Sequence, residues 1–213
     1  MRLTQLETEL KCRLGYPYRW GRKQNNYWDK ATNFIYQTPH FDQLLKHFEQ
    51  AFAQHPEKQQ WLDYTLNRWF NFWSAQALEK VFCHASAGVR PASDPQDSEK
   101  DFFITNIPFD HKTTVFPQRY PHSLHYAHQH PETLLQWLYE HQSKGKRLHH
   151  KNRLFVVLYD TYEQNHWQLK AYLTWLKALV DYYVHHFDSS RLFRLPGAYG
   201  EAPILADIIW AIR

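Results

Sequence analysis

The chain runs to 213 residues and carries 25 Lys and Arg against 21 Asp and Glu, a formal charge of +4. That length suits one mixed α/β domain with an N-terminal extension, and 9 Trp, 14 Tyr and 14 Phe supply rings enough to close a core without covalent staples. The two cysteines, Cys12 and Cys83, sit in no CxxC pair, which excludes a disulfide framework and the common zinc and redox motifs.

No run approaches the roughly 20 apolar residues of a membrane span, and the opening MRLTQLETELKCRLGY alternates charge with leucine where a leader would be continuously apolar. A cytoplasmic protein with no membrane partner is therefore expected. Neither G-x-x-x-x-G-K-[ST] nor G-x-G-x-x-G occurs, and only six glycines are available, so no nucleotide cofactor is expected. The absence of a G-x-S-x-G elbow leaves serine chemistry without support. The modest positive charge permits a polyanionic partner without requiring one.

In chain order, residues 2–15 read as a short helix, and an aromatic, polar loop with no clear period follows. A second helix is expected over 41–54. From Gln59 to Cys83, Leu62, Leu66, Trp69, Phe70, Trp73, Ala77, Leu78, Val81 and Phe82 recur at helical spacing. The Gly-, Pro- and Ser-rich stretch 84–100 reads as a surface connection with a short strand near Val89. The period then changes: DFFITNIPFDHKTTVF predicts two strands joined by a tight turn at Thr105 and Asn106. A helix opening at Pro131 and Glu132 follows, then a basic stretch, then RLFVVLYD as a strand buried on both faces. A long helix over about 165–187 and a last strand over 203–212 complete the pattern. Strands alternating with helices predict a mixed β-sheet flanked by helices.

The chemistry concentrates at Asp101 and at Asp110-His111-Lys112. On a strand, Asp110 and Lys112 project from one face and His111 from the other. With Asp101 on the neighbouring strand, about 4.8 Å away, its carboxylate is expected to reach the same patch. Two carboxylates are hard oxygen ligands for Mg²⁺ or Mn²⁺, and an adjacent ammonium can steady an attacking water or the charge growing on a phosphoryl group.

This arrangement resembles the PD-(D/E)xK signature of restriction-endonuclease-like nucleases, including its place on a β-hairpin, and the resemblance covers roughly residues 59–212. It implies a restriction-endonuclease-like core over 59–213, with residues 1–58 as a helical, aromatic extension packed on it. It also implies a metal-dependent nuclease acting on DNA, in restriction, repair or defence in a bacterium. Asp101 and Asp110 would ligate the metal, Lys112 would act on water or phosphate, and Glu79, on the preceding helix, would complete the site. The residue between acid and lysine, usually apolar in that family, is His111 here, and its backbone carbonyl is the expected ligand. Lys100, where the family has proline, precedes Asp101. Double-strand cleavage would need two sites, so a homodimer is expected for a duplex substrate. The rival expectation is a non-catalytic nucleic-acid-binding or scaffold module on the same fold.

Secondary candidates surround this centre. Gln168 and Tyr172, four apart on the predicted late helix, resemble the Q-x-x-x-Y element of exonuclease branches of the same superfamily, whereas Lys170 is expected to reach solvent. Lys144, Lys146, Arg147, Lys151 and Arg153 form the densest basic stretch and, with Arg119, are candidates for phosphate contact, though such a run is also what a solvated loop looks like. Tyr16, Tyr18, Trp20, Tyr27 and Trp28, set among Arg19, Arg22 and Lys23, either stack on bases or pack over the core. The 15 histidines show no HExxH spacing and are read as surface or hydrogen-bonded core residues.

Overall fold

A computed structural model describes residues 1–20, 23–86, 88–94, 100–141, 151–197 and 202–213. By contact the chain divides into two compact units, Met1–Leu78 with Lys170–Trp175, and Glu79–Leu169 with Leu176–Arg213. The division falls inside the long helix, further along than the sequence boundary at residue 58.

The first unit contains helices α1 (Leu3–Cys12), α2 (Asn26–Ala31), α3 (Phe41–Phe52) and most of α4 (Lys58–Cys83). The predicted helix over 2–15 tightens into a 3₁₀ turn at Arg13–Gly15. The stretch expected to be loop holds α2, which has too few residues to show a period, and Asn25 gives it away by capping: its side chain accepts from Trp28 N. Rings then lock the segment. Trp28 stacks on Trp61 with centroids 3.5 Å apart, Phe52 stacks on the same indole at 4.5 Å, and Trp20 meets Tyr64 edge-on. Of the two readings of this aromatic stretch, packing accounts for Trp20 and Trp28, while Tyr27 stays exposed.

Buried arginine forks satisfy the loop backbone. Arg68 donates to the Asp29 carbonyl at 2.7 Å and to the Tyr36 hydroxyl at 2.6 Å. Arg13, fully buried, donates to the Tyr16 and Pro17 carbonyls and to Asn67 Oδ1. A planar five-donor group can serve several carbonyls that would otherwise be buried without partners.

The second unit is an open, mixed six-stranded sheet with order β1-β2-β3-β4-β6-β5. The strands are β1 (Val89–Pro91), β2 (Phe102–Ile104), β3 (Ile107–Val115), β4 (Arg153–Tyr159), β5 (Phe193–Leu195) and β6 (Ile204–Ile212). β1, β2 and β3 form an antiparallel meander, β3, β4 and β6 run parallel, and β5 returns antiparallel at the far edge. The β2–β3 turn places Thr105 and Asn106 at φ 45° and 72°, the two positive angles of a two-residue hairpin whose twist matches its strands.

The connections carry α5 (Leu124–Gln129) and α6 (Pro131–His141) before β4, and α7 (Leu173–His185) before β5. β4 lies at the centre with six consecutive residues buried, as its unbroken apolar run requires. On one sheet face α6 packs Leu134, Leu135 and Leu138 onto Phe155, Val157, Ala206 and Ile208. On the other, the end of α4 and the α7 segment contribute, through stacking of Phe82 on Phe102 and an edge contact of Phe187 with Phe109. The predicted late helix is in two pieces, a 3₁₀ helix at His166–Ala171 and then α7. Among the described residues no helix is long and apolar enough to cross a membrane.

Trp61 is 1% exposed and sandwiched between Trp28 and Phe52, so Trp61→Ala should lower the unfolding free energy by about 3–5 kcal/mol. Urea denaturation followed by fluorescence reads this directly, and a loss below about 1 kcal/mol would show that the stack does not hold the first unit.

Candidate active site

Side chains alternate along β3, and contacts identify its two faces. Asp110 and Lys112 point toward the α6 side. There Asp110 Oδ2 accepts from Arg153 Nε at 2.7 Å and Oδ1 accepts from Lys112 Nζ at 2.9 Å. The register sets Asp110 directly beside Arg153 on β4, and the Arg153 guanidinium lies over the Tyr139 ring of α6. Asp110 and Arg153 are both buried, whereas Lys112 is half exposed.

His111 points the other way, its ring beside Phe82 and Phe102. Asp101 sits just ahead of β2, where its amide donates to the Phe109 carbonyl and its carbonyl accepts from Ala92 N. Its carboxylate is held by His111: Oδ2 accepts from the His111 backbone amide at 2.8 Å and from His111 Nδ1 at 2.7 Å. Because an ionised carboxylate only accepts, His111 Nδ1 is the donor in this bond. Of the expected set, Asp110 and Lys112 are thus brought together, while Asp101 is gathered with His111. The sequence pointed to the backbone carbonyl of His111; the observed contacts run through its amide and ring.

Glu79, one turn before the end of α4, joins the Asp101 side. Burial and the charge of Asp101 push its carboxyl upward, against the opposing pull of His111, Lys80 and Lys112. Burial also works against the charge of Asp101, but the bonds from His111 and the charge of Lys112 outweigh it and hold that carboxyl below its usual range. Burial, Glu79 and Asp101 raise the Cys83 thiol to about 11, so Cys83 is an inert neighbour. Lys112 connects the two sides, being bonded to Asp110 and felt electrostatically by Asp101 and Glu79.

This donor set suits a hard divalent cation. Glu79 and Asp101 are two oxygen donors whose mutual repulsion a cation would relieve, and Mg²⁺ needs only one or two protein carboxylates with water completing its shell. Asp110 suits it less, since both of its oxygens serve Arg153 and Lys112. Among the described residues, no three His, Cys, Asp or Glu side chains form a ready-made cage.

The secondary candidates lie elsewhere. Arg119 is exposed in the turn after β3. Lys151 is half buried just before β4, with its carbonyl accepting from the Tyr139 hydroxyl. Lys144, Lys146, Arg147 and Arg22 lie outside the described residues. Gln168 falls in the 3₁₀ helix, where three residues make a turn, so the four-residue spacing to Tyr172 does not define a shared helical face. The Tyr172 ring carries the ammonium of Lys11 at 4.8 Å. Lys170, expected to reach solvent, donates instead to Asn71 Oδ1 at 2.8 Å, and burial lowers its ammonium to about 8. No protein-family model, curated protein or solved structure matches the chain.

A carboxyl whose folded pKa is raised favours folding below its ordinary value of 4.5 and loses that contribution as pH rises through the folded value. In metal-free protein, Glu79→Gln should therefore raise the melting temperature at pH 7, with the gain shrinking at pH 4. Equal effects at both pH values would contradict the crowding of Glu79 by Asp101.

Proposed function

We propose that the chain is a metal-dependent nuclease with a restriction-endonuclease-like core, hydrolysing phosphodiester bonds of DNA at Glu79, Asp101, Asp110 and Lys112. The observation that carries this reading is the position of Lys112 on β3: its ammonium is bonded to Asp110 on one face of the strand, and its charge favours the ionised forms of Asp101 and Glu79, which belong to the other. The element order supports it: a long helix, an antiparallel meander, a helix, and a strand parallel to the last strand of the meander.

In this reading Glu79 and Asp101 hold Mg²⁺ or Mn²⁺. When bound there, such an ion supplies Lewis-acid polarisation of the phosphoryl group and a more acidic water. His111 fixes the direction of the Asp101 carboxylate. Arg153 holds one oxygen of Asp110 so that the other can orient Lys112. Lys112, half exposed, offers its ammonium to the attacking water or to the charge that grows on phosphate oxygen. Water adds to phosphorus, and the bridging oxygen leaves with a proton. For a duplex substrate two copies of the chain would supply the two cuts, and a role in restriction, repair or defence follows from the same resemblance.

A second reading, a non-catalytic nucleic-acid-binding or scaffold module, is favoured by the engagement of both Asp110 oxygens in ion pairs. Cleavage of linear and circular, single- and double-stranded DNA with Mg²⁺ or Mn²⁺ separates the two. Wild type should cut, and Lys112→Ala and Asp101→Asn should each lose about 100-fold or more in rate while melting as cooperatively as wild type. Wild type inert on every substrate with either metal, or variants that cut equally well, would leave the binding-module reading in its place.

A further inference from the structure

β6 has a strand on both sides only at its start. β5 pairs with residues 204–206, so over 207–212 β6 is bonded to β4 on one side and, among the described residues, meets no strand on the other. Leu205 and Arg213 turn their amides to the β4 side, where they donate to Asn152 Oδ1 and to the Tyr159 carbonyl. Alternate residues bond to opposite neighbours, so Ile208 and Trp210 turn their backbone groups to the open edge. The β5–β6 connection leaves from Leu195 and Ile204, at the end of β5 away from this stretch.

A cleft of about 700 Å³, within the usual range for small-molecule sites, lies along that edge. Tyr182, Tyr183 and Phe187 line it from the end of α7 and just beyond, and Asp207, Ile208 and Trp210 line it from the strand. Asp207 Oδ1 accepts from the Ile208 amide at 2.7 Å, and Oδ2 accepts from the Tyr183 hydroxyl at 2.9 Å. The carboxylate thus caps the first amide that an added strand would need, which disfavours a strand as the occupant. Burial pushes this carboxyl upward, and the bonds from Ile208 and Tyr183 and the charge of Arg191 only partly offset it. Further N–H donors would favour its ionised form.

Along the strand the edge offers an acceptor, the Asp207 carboxylate, then a second acceptor, the Ile208 carbonyl, then a donor, the Trp210 amide. Among the nucleobases guanine has the complementary edge: amino N–H, ring N–H, carbonyl oxygen. Adenine can satisfy the last two groups but brings no donor to the carboxylate. Cytosine sets a ring acceptor against the Ile208 carbonyl, and thymine sets a carbonyl against the carboxylate. A base held by a strand edge and covered by aromatic side chains needs no glycine-rich phosphate loop.

We infer that the cleft beside the open edge of β6 binds a guanine base, with the Asp207 carboxylate and Ile208 carbonyl accepting from its amino and ring N–H groups and the Trp210 amide donating to its carbonyl oxygen. The aromatic side chains at the end of α7 cover its face. A free nucleotide and an unpaired guanine in a nucleic-acid strand both carry this base. The inference does not depend on the nuclease reading.

Isothermal titration calorimetry of the full-length protein in EDTA tests it with nucleoside monophosphates. GMP should bind, inosine monophosphate, which lacks only the amino group, should bind about tenfold more weakly, and CMP weaker still. Asp207→Ala should bring the affinities for GMP and inosine monophosphate together. Tyr182 is 68% exposed, so Tyr182→Ala should leave folding intact and weaken both ligands about equally. An oligothymidine with one central guanine, added as competitor, separates the sources: displacement of GMP assigns the site to a guanine within a strand, and no displacement assigns it to the free nucleotide. Absence of GMP binding at about 1 mM, the result expected if a strand fills the edge, would overturn the inference. Equal affinity of wild type for GMP and inosine monophosphate, or a preference for GMP that survives in Asp207→Ala, would overturn it as well. DNA cleavage is scored on its own substrates, so failure of either reading leaves the other standing.

Discussion

Neighbouring residues on an extended strand cannot share a face, and β3 is fixed in register on both sides, antiparallel to β2 and parallel to β4. Asp110 is therefore committed to the α6 side, beside Arg153, and His111 to the side of Phe82 and Phe102. Slipping β3 by one residue would bury Lys112 in place of His111 and move Phe109 out of the core. The arrangement of the candidate site follows from this constraint.

Two pairings with different energetics result. The Asp110–Arg153 pair is buried, so each ion has given up water and depends on the other; removing one partner from such a pair typically costs about 3–5 kcal/mol. Lys112 completes that pair from a half-exposed position and can leave Asp110 without burying an unpaired charge, because Arg153 remains. Across the strand, His111 spends its amide and its ring nitrogen on Asp101, which keeps one carboxylate ionised next to a second, Glu79, that burial and repulsion push the other way. Carboxylates forced into such company are the groups a divalent ion would stabilise most.

Much of the sheet was legible because its signals are local and strong. The six-residue buried run of β4, the turn at Thr105 and Asn106, and the period of α4 all survive into the structure. The breaks went unseen where tertiary contacts decide. α2 is too short to show a period and is held by Trp61 and Arg68, which arrive from some 30 to 40 residues away in sequence. The split of the late helix at Tyr172 leaves no local mark of the Gly or Pro kind, and β5 is three residues long. At the site, alternation correctly paired Asp110 with Lys112. The capture of Asp101 by His111 was not legible, since Asp101 lies outside the regular strand, where alternation no longer sets the direction of a side chain. Arg153 was visible as a member of a basic stretch, but its pairing with Asp110 needs the parallel β3–β4 register, which sequence alone does not supply.

The position of a bound divalent ion is the most direct test of the site. Anomalous diffraction from crystals grown with Mn²⁺ locates it without relying on turnover. The ion is expected beside the carboxylates of Glu79 and Asp101, with the Asp110–Arg153 pair intact. An ion ligated by Asp110 with that pair broken, or no ion at this end of the sheet at Mn²⁺ concentrations that saturate ordinary Mg²⁺ sites, would contradict it.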